Sequence, residues 1–316
     1  MLTKYKLPPN CPVATALSEL FTPPSIGDNR RSAGKLRTLI ANKSGQLHMN
    51  NGTQQDTLSF FRYMIQQLKQ EIQMTNSKEL KEAMQIFAIC EIVTTLVNNS
   101  RPYPNGTCYR CGDFPKKNRD TTNLIELDIP ERFSKYDNVS LQELFTHKFA
   151  AETINWKCDN CCSHTNNCPI GQSWYTKNMV DGKDGGKCIY QKAQRTVELK
   201  NLQNVIFVYI KRYAFSTMQE KRTNKVQLPQ EIKIGSFYYE PIGTVNHYGP
   251  TTNSGHYTAF VKRGNLWFQH NDTSITQSSL KEINECNGTY IIALKRIEHL
   301  PFLAASQVGC YFCYIF

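Results

Sequence analysis

The chain has 316 residues, enough for one large core or two ordinary ones, with 40% hydrophobic and 20% charged residues, as in a globular protein rather than a disordered or fibrous one. Its formal charge of +11 suits anionic partners such as nucleic acid or acidic membrane lipid, but Lys and Arg are scattered rather than clustered, which favours a solvated basic surface and leaves nucleic-acid binding resting on charge alone. Met1 to Cys11 lacks the hydrophobic run of a signal peptide, so the twelve cysteines are expected to meet a reducing cytoplasm or nucleus, where close pairs read as metal ligands or nucleophiles rather than disulfides.

The first predicted element is a helix. Val13, Ala16, Leu17, Leu20 and Phe21 follow helical spacing, and Pro12 suits the first turn, where its missing N–H would be unpaired anyway. Cys11 therefore lies at the N-terminal edge of a helix, where the macrodipole favours thiolate over thiol. Two further helices are expected over Ser32–Ala41 and Thr53–Ile72, the second with a stripe of Leu58, Phe61, Ile65, Leu68 and Ile72. A fourth is read over Ser77–Val97, with Cys90 in the core, before Arg101-Pro-Tyr-Pro-Asn-Gly106 breaks regular structure.

Next come two knuckles, Cys108-Tyr-Arg-Cys111 and Cys158-Asp-Asn-Cys161. Two intervening residues let both sulfurs of a knuckle face one tetrahedral centre, and two knuckles make a closed, structural four-thiolate zinc site. Cys162, Cys168 and Cys188 are alternative ligands for the later positions. Strand character at Leu124–Ile129, a helix at Leu141–Phe149, then strands at Gln194–Leu199 and Asn204–Arg212 follow, the last nearly all apolar and so buried on both faces. Val226–Leu228, Phe237–Val245 and Gly288–Lys295 add further strands. Helices first and strands last imply an α+β domain with its functional groups at the seam.

Gly243 to Ile275 has the punctuation of a hairpin, with Tyr257–Val261 as one strand, a Lys-Arg-Gly-Asn turn, and Leu266-Trp-Phe268 opening the next. His256 begins the first strand and Asn271-Asp272 end the second, so antiparallel pairing puts an imidazole and a side-chain acceptor at the same end. That is the base-and-orienter half of a nucleophile–His–acceptor arrangement.

The motifs Cys11…Leu17…Leu20, Gln54-Gln55-Asp56, the Cys-X-X-Cys pairs, Lys211-Arg212-Tyr213, and Ser254-Gly-His-Tyr-Thr-Ala259…Trp267…Asn271-Asp272 resemble, in that order, those of the ubiquitin-specific protease family. The resemblance covers residues 1 to about 298. It implies a papain-like cysteine protease fold, with a helical thumb over about 1–104 and a β-sheet palm and zinc-ribbon fingers over about 105–298. Residues 299–316 are then an apolar tail too short for a membrane helix.

The resemblance also implies a thiol hydrolase acting after the C-terminal glycine of ubiquitin. Its roles fall on Cys11 as nucleophile, His256 as base, Asn271 as orienter and Asp272 as support. Gly255, Tyr257, Gln55 and Asp56 would line the substrate channel, and Cys108, Cys111, Cys158 and Cys161 would hold zinc. Ubiquitin or ubiquitinated proteins would be the partners of a monomer. The cysteine box departs from the family at Lys6, where an asparagine usually serves the oxyanion, and at Pro12, where an aromatic is usual. Losing one oxyanion donor costs on the order of a hundredfold in rate, which makes a catalytically impaired ubiquitin-binding or scaffold protein the alternative.

Overall fold

The computed structural model describes residues 7–21, 29–51, 55–97, 107–108, 112, 114–134, 136–158, 179–181, 187–213, 221–251 and 254–298. Lys6, Cys111, Cys161, the Arg101–Gly106 breaker and the C-terminal tail lie outside them.

The chain opens with four helices, α1 (Pro12–Phe21), α2 (Asn29–Ser44), α3 (Thr57–Gln73) and α4 (Lys78–Ala83). Pro12 is the first residue of α1, as its fixed φ suggested. Asp56 caps α3 by accepting from the Leu58 and Ser59 amides, which satisfies two of the four donors that a helix start leaves unpaired. The predicted stripe on α3 is real and serves two cores. Ile65, Leu68 and Ile72 pack with Val13, Ala14 and Ile40 of α1 and α2, whereas Leu58 at the helix start packs with Tyr290 and Ile291 of the sheet. One end of α3 is therefore anchored among helices and the other among strands.

The fourth predicted helix is corrected. It stops at Ala83, a 3-10 turn carries the chain to Phe87, and β1 (Ile89–Val97) follows. Ile89, Ile92, Val93, Thr94, Thr95 and Val97 are β-branched and fit a pleated surface better than a helix. Pairing decides the outcome: β1 runs antiparallel to a much longer strand, from Cys90 opposite Lys200 to Val97 opposite Ala193. Cys90 is half-buried on this strand rather than a core residue.

The remaining elements are β2 (Asn118–Thr122), β3 (Ile125–Asp128), β4 (Val139–Ser140), α5 (Leu141–Phe149), β5 (Glu152–Lys157), β6 (Met179–Asp181), β7 (Lys187–Lys200) and β8 (Val205–Lys211). They continue with β9 (Val226–Gln227), β10 (Ile232–Ile234), β11 (Phe237–Thr251), β12 (Ser254–Arg263), β13 (Leu266–Asn271), β14 (Ser274–Ser278), α6 (Leu280–Asn284) and β15 (Thr289–Ile297). One sheet has the order β2-β1-β7-β5, with β6 also on β7. A second has the order β14-β13-β12-β11-β15-β8-β3, with β10 on β11, and β4 pairs with β9 in a third. Among the described residues the pairings of the eight-stranded sheet are antiparallel except β3 on β8, where Ile125 lies opposite Val208.

β8 is buried on one face and only half-buried on the other, where its apolar run predicted burial on both. Ile206, Val208 and Ile210 are buried on one face, and on the other Phe207 meets the Phe61 and Phe87 rings at centroid distances of 5.0 and 5.9 Å. At its end Arg212 is fully buried and donates to the carbonyls of Thr289, Arg222 and Asn224. Burial lowers its pKa to about 10. The α+β class is thus as expected, with α5 and the start of α3 packed against a mostly antiparallel sheet. Among the described residues no helix is long and apolar enough to cross a membrane.

Candidate active site

The predicted hairpin forms as β12 and β13, joined at Gly264 with φ +58°. Its register, from Ala259 opposite His270 to Arg263 opposite Leu266, brings His256 and Asn271 to the same end. The His256 Nε2 and Asn271 Oδ1 atoms are 2.6 Å apart. An amide oxygen can only accept, so Nε2 carries the hydrogen and Nδ1 keeps its lone pair. An exposed imidazole with one nitrogen fixed by an amide and the other open to a proton is a general base in waiting.

Two glycines make the local geometry possible. Gly249 and Gly255 lie back to back where β11 turns into β12, and Gly255 adopts φ +142°. A Cβ on Gly255 would lie 2.2 Å from the Tyr248 carbonyl oxygen, and one on Gly249 2.2 Å from that of Ser254. No other residue type permits this approach, which sets where His256 leaves the hairpin.

Asp272 occupies the turn into β14 at φ +51°, a conformation that Asp tolerates better than most residues. It is exposed, and among the described residues its side chain makes no hydrogen bond. The four residues expected to line a substrate channel are distributed as follows. Tyr257 accepts from the Thr57 amide at 3.4 Å, and Tyr290 donates to Asp56 at 2.9 Å. Asp56 and Tyr257 thereby tie the start of α3 to the sheet, next to Gly255. Gln55 instead donates to the His48 carbonyl at 3.1 Å.

Behind the hairpin lies a cluster that sequence reasoning missed. His247 is fully buried opposite Tyr257, with ring centroids 4.5 Å apart. Its Nδ1 is 3.2 Å from both the Tyr213 hydroxyl and the Lys221 ammonium. Lys221 also donates to the carbonyls of His247 and Gly249 at 2.7 and 2.9 Å. Burial, with a smaller contribution from Arg212, lowers the Lys221 pKa to about 8. Burial first and then the Lys221 charge lower that of His247, so a neutral imidazole backs the hairpin. A second histidine nine residues before His256 was the available signal.

Cys11 is at the edge of α1 as predicted, but its surroundings are not those expected of a thiolate. The side chain is fully buried in the helical core. Its Sγ lies 3.8 Å from both the Asn10 Oδ1 and the Glu71 carbonyl oxygen. The Glu71 carboxylate, itself buried, accepts from the Val13 and Ala14 amides at 3.0 Å and pairs with Lys43 at 2.8 Å. The amide donors that were to favour a thiolate are therefore taken. Burial raises the Cys11 pKa, the Glu71 charge raises it further, and Lys43 offsets part of this.

Among the described residues no hydrogen bond joins Cys11 to His256. The thiol sits beside Glu71 near the end of α3, whereas Tyr257, next to His256, touches Thr57 at its start. At 1.5 Å per residue, about 21 Å of helix separates those two attachments. The expected nucleophile–base contact is not made in this conformation.

In the first knuckle the Gly112 amide donates to the Cys108 carbonyl at 2.9 Å, with Gly112 at φ +78°. Cys108 and Cys158 are buried together with Trp156 packed on them, and Gln191 Nε2 lies 3.1 Å from the Cys108 sulfur. Among the described residues no group of three or more His, Cys, Asp or Glu is placed to hold a metal.

Residues 3–293 match the family model described as Ubiquitin carboxyl-terminal hydrolase. A probable ubiquitin carboxyl-terminal hydrolase 16 of Schizosaccharomyces pombe is 24% identical over 200 residues, covering 59% of this chain and 37% of the relative. Ubiquitin carboxyl-terminal hydrolase 46 of Caenorhabditis elegans is 21% identical over 314 residues, covering 87% of this chain and 71% of that one. Among solved structures, the SAGA Ubp8/Sgf11/Sus1/Sgf73 DUB module bound to ubiquitin aldehyde matches with a TM-score of 0.62 at 18% identity, over 92% of this chain and 60% of the matched one. The chain thus spans well under two thirds of the length of several of its relatives.

Proposed function

Because the chain belongs to the ubiquitin carboxyl-terminal hydrolase family, of the ubiquitin-specific protease type, we propose that it hydrolyses peptide or isopeptide bonds after the C-terminal glycine of ubiquitin. The supporting observation is the His256–Asn271 pair, which holds an imidazole with Nδ1 open to receive a proton. In this reading the Cys11 thiol gives its proton to Nδ1 and the thiolate attacks the glycine carbonyl. The imidazolium then protonates the departing amine, and water, deprotonated by the same nitrogen, releases ubiquitin from the thioester. Asn271 keeps the ring in the productive tautomer, and Asp272 stands beside the site. Gly255, Tyr257, Gln55 and Asp56 border the channel for the ubiquitin tail. Cys11 must first leave the Glu71 carbonyl to reach the base.

Cys108, Cys111, Cys158 and Cys161 would hold a structural zinc. The paired burial of Cys108 and Cys158 and the tight turn at Gly112 fit that role. Such a four-thiolate centre cross-links the strands around it and takes no part in the reaction. Thiol chemistry of this kind fits the reducing cytoplasm or nucleus.

The buried thiol favours one second reading, a ubiquitin-binding protein without turnover. Lys6 and Pro12 in the cysteine box point the same way. A ubiquitin probe with a C-terminal electrophile separates the two. Labelling of the wild type but not of Cys11→Ala supports hydrolysis. Measurable ubiquitin affinity with no labelling supports binding alone, and neither result leaves both readings without support.

A further inference from the structure

Glu71 makes three kinds of contact with the region of the proposed nucleophile. Its carboxylate accepts from the Val13 and Ala14 amides at the start of α1. Its backbone carbonyl lies 3.8 Å from the Cys11 sulfur. Its charge is matched by Lys43 of α2 at 2.8 Å. Glu71 is 3% exposed. A buried carboxylate is tolerated only when paired and hydrogen-bonded, and here both conditions are met. The two amides it uses belong to the helix terminus that would otherwise stabilise a negative sulfur. An internal anion thus occupies the place where the thiolate would find its support.

From this geometry we infer that Glu71 is a positioning residue which, balanced by Lys43, holds Cys11 in a shielded resting position until its grip on α1 is released. The inference rests on the reading of Cys11 as the nucleophile. Among the described residues, Glu71 from α3 and Lys43 from α2 are the charged side chains whose fields act on the thiol. Glu19 and Lys35, also from α1 and α2, pair with each other on the exposed side. Glu71 and Lys43 act on the sulfur with opposite signs, and this gives the device a signature that a purely structural cap would lack.

The test is the rate at which iodoacetamide alkylates Cys11, followed by peptide mass spectrometry across pH 6 to 10 in the full chain. No ubiquitin is needed, so the result is independent of whether the protein turns over ubiquitin. Glu71→Gln keeps an oxygen for the two amides but removes the charge. It is expected to shift the pH midpoint down and raise the rate at pH 7 about tenfold, because the thiolate is the reacting species. Lys43→Met leaves Glu71 unbalanced and is expected to shift the midpoint up and slow the reaction several-fold. Opposite displacements of the two variants support the inference. Wild-type midpoints in both, or acceleration in both, would overturn it, since general loosening of the core speeds both alike. Should Glu71→Gln fail to fold, as circular dichroism would reveal, the direction of the Lys43→Met shift decides the matter alone.

Discussion

The two halves of the candidate site are prepared to different degrees. At the sheet end, strand register delivers His256 to Asn271 at 2.6 Å, and two glycines fix the turn behind it. At the helical end, Cys11 is packed among apolar side chains with its neighbouring amides taken by Glu71. The contrast has a simple origin. A hairpin places side chains by hydrogen-bond register, which a polar residue obeys as readily as an apolar one. A helix places them by the burial of one face, and a cysteine behaves as a small hydrophobe that follows its neighbours into the core.

Removing the base gives the largest expected break in this comparison. His256→Ala should lower turnover of a ubiquitin C-terminal amide substrate roughly a thousandfold, while Asn271→Ala should lose less and shift the pH profile of kcat. If His256→Ala retained wild-type kcat/KM, the sheet end would not be the prepared half. Next in size, Gly255→Ala should destabilise the protein by about 2–4 kcal/mol in urea unfolding, because a Cβ there collides with backbone on the facing strand. An unchanged unfolding midpoint would show that the turn does not constrain His256.

A smaller effect is expected from a zinc chelator, which should red-shift the fluorescence of Trp156, packed on Cys108 and Cys158, and leave His256 and Asn271 in place. Unaltered emission after verified metal loss would contradict the cross-linking role. The smallest effect concerns Lys221. Its pKa is about 8 in the folded protein, below the usual lysine value of 10.5, so between pH 8 and 10 the unfolded chain holds more protons than the folded one. The wild type should therefore gain stability relative to Lys221→Met as pH rises through that window, measured by urea midpoints. Parallel pH dependence in the two proteins would show that Lys221 is not held at a lowered pKa.

Much of this organisation was legible in the residues. The stripe on α3, Pro12 at the head of α1, the buried face of β8 and the meeting of His256 with Asn271 follow from local periodicity and punctuation. Segment 89–97 was not legible as a strand, because its β-branched residues gain their structure from β7, a hundred residues away, and apolar spacing alone also fits a helix. The shielding of Cys11 was hidden for a similar reason. Nothing near residue 11 announces that the carboxylate of residue 71 will occupy the helix start, since that depends on how α3 docks. Lys221 and His247 are polar residues whose partial and full shielding, respectively, arises only when β11 and the segment at 221 come together.

The parallel pairing of β3 with β8 carries a consequence in time. Ile125 pairs with Val208 across a separation of 83 residues, whereas α1, α2 and α3 meet across much shorter stretches of chain. Contacts between distant parts of a chain form slowly, so the thiol-bearing helices should mature before the strands that carry the imidazole. Pulse-labelled hydrogen exchange during refolding should then protect the α3 amides ahead of those in β8, and the reverse order would refute this sequence of assembly.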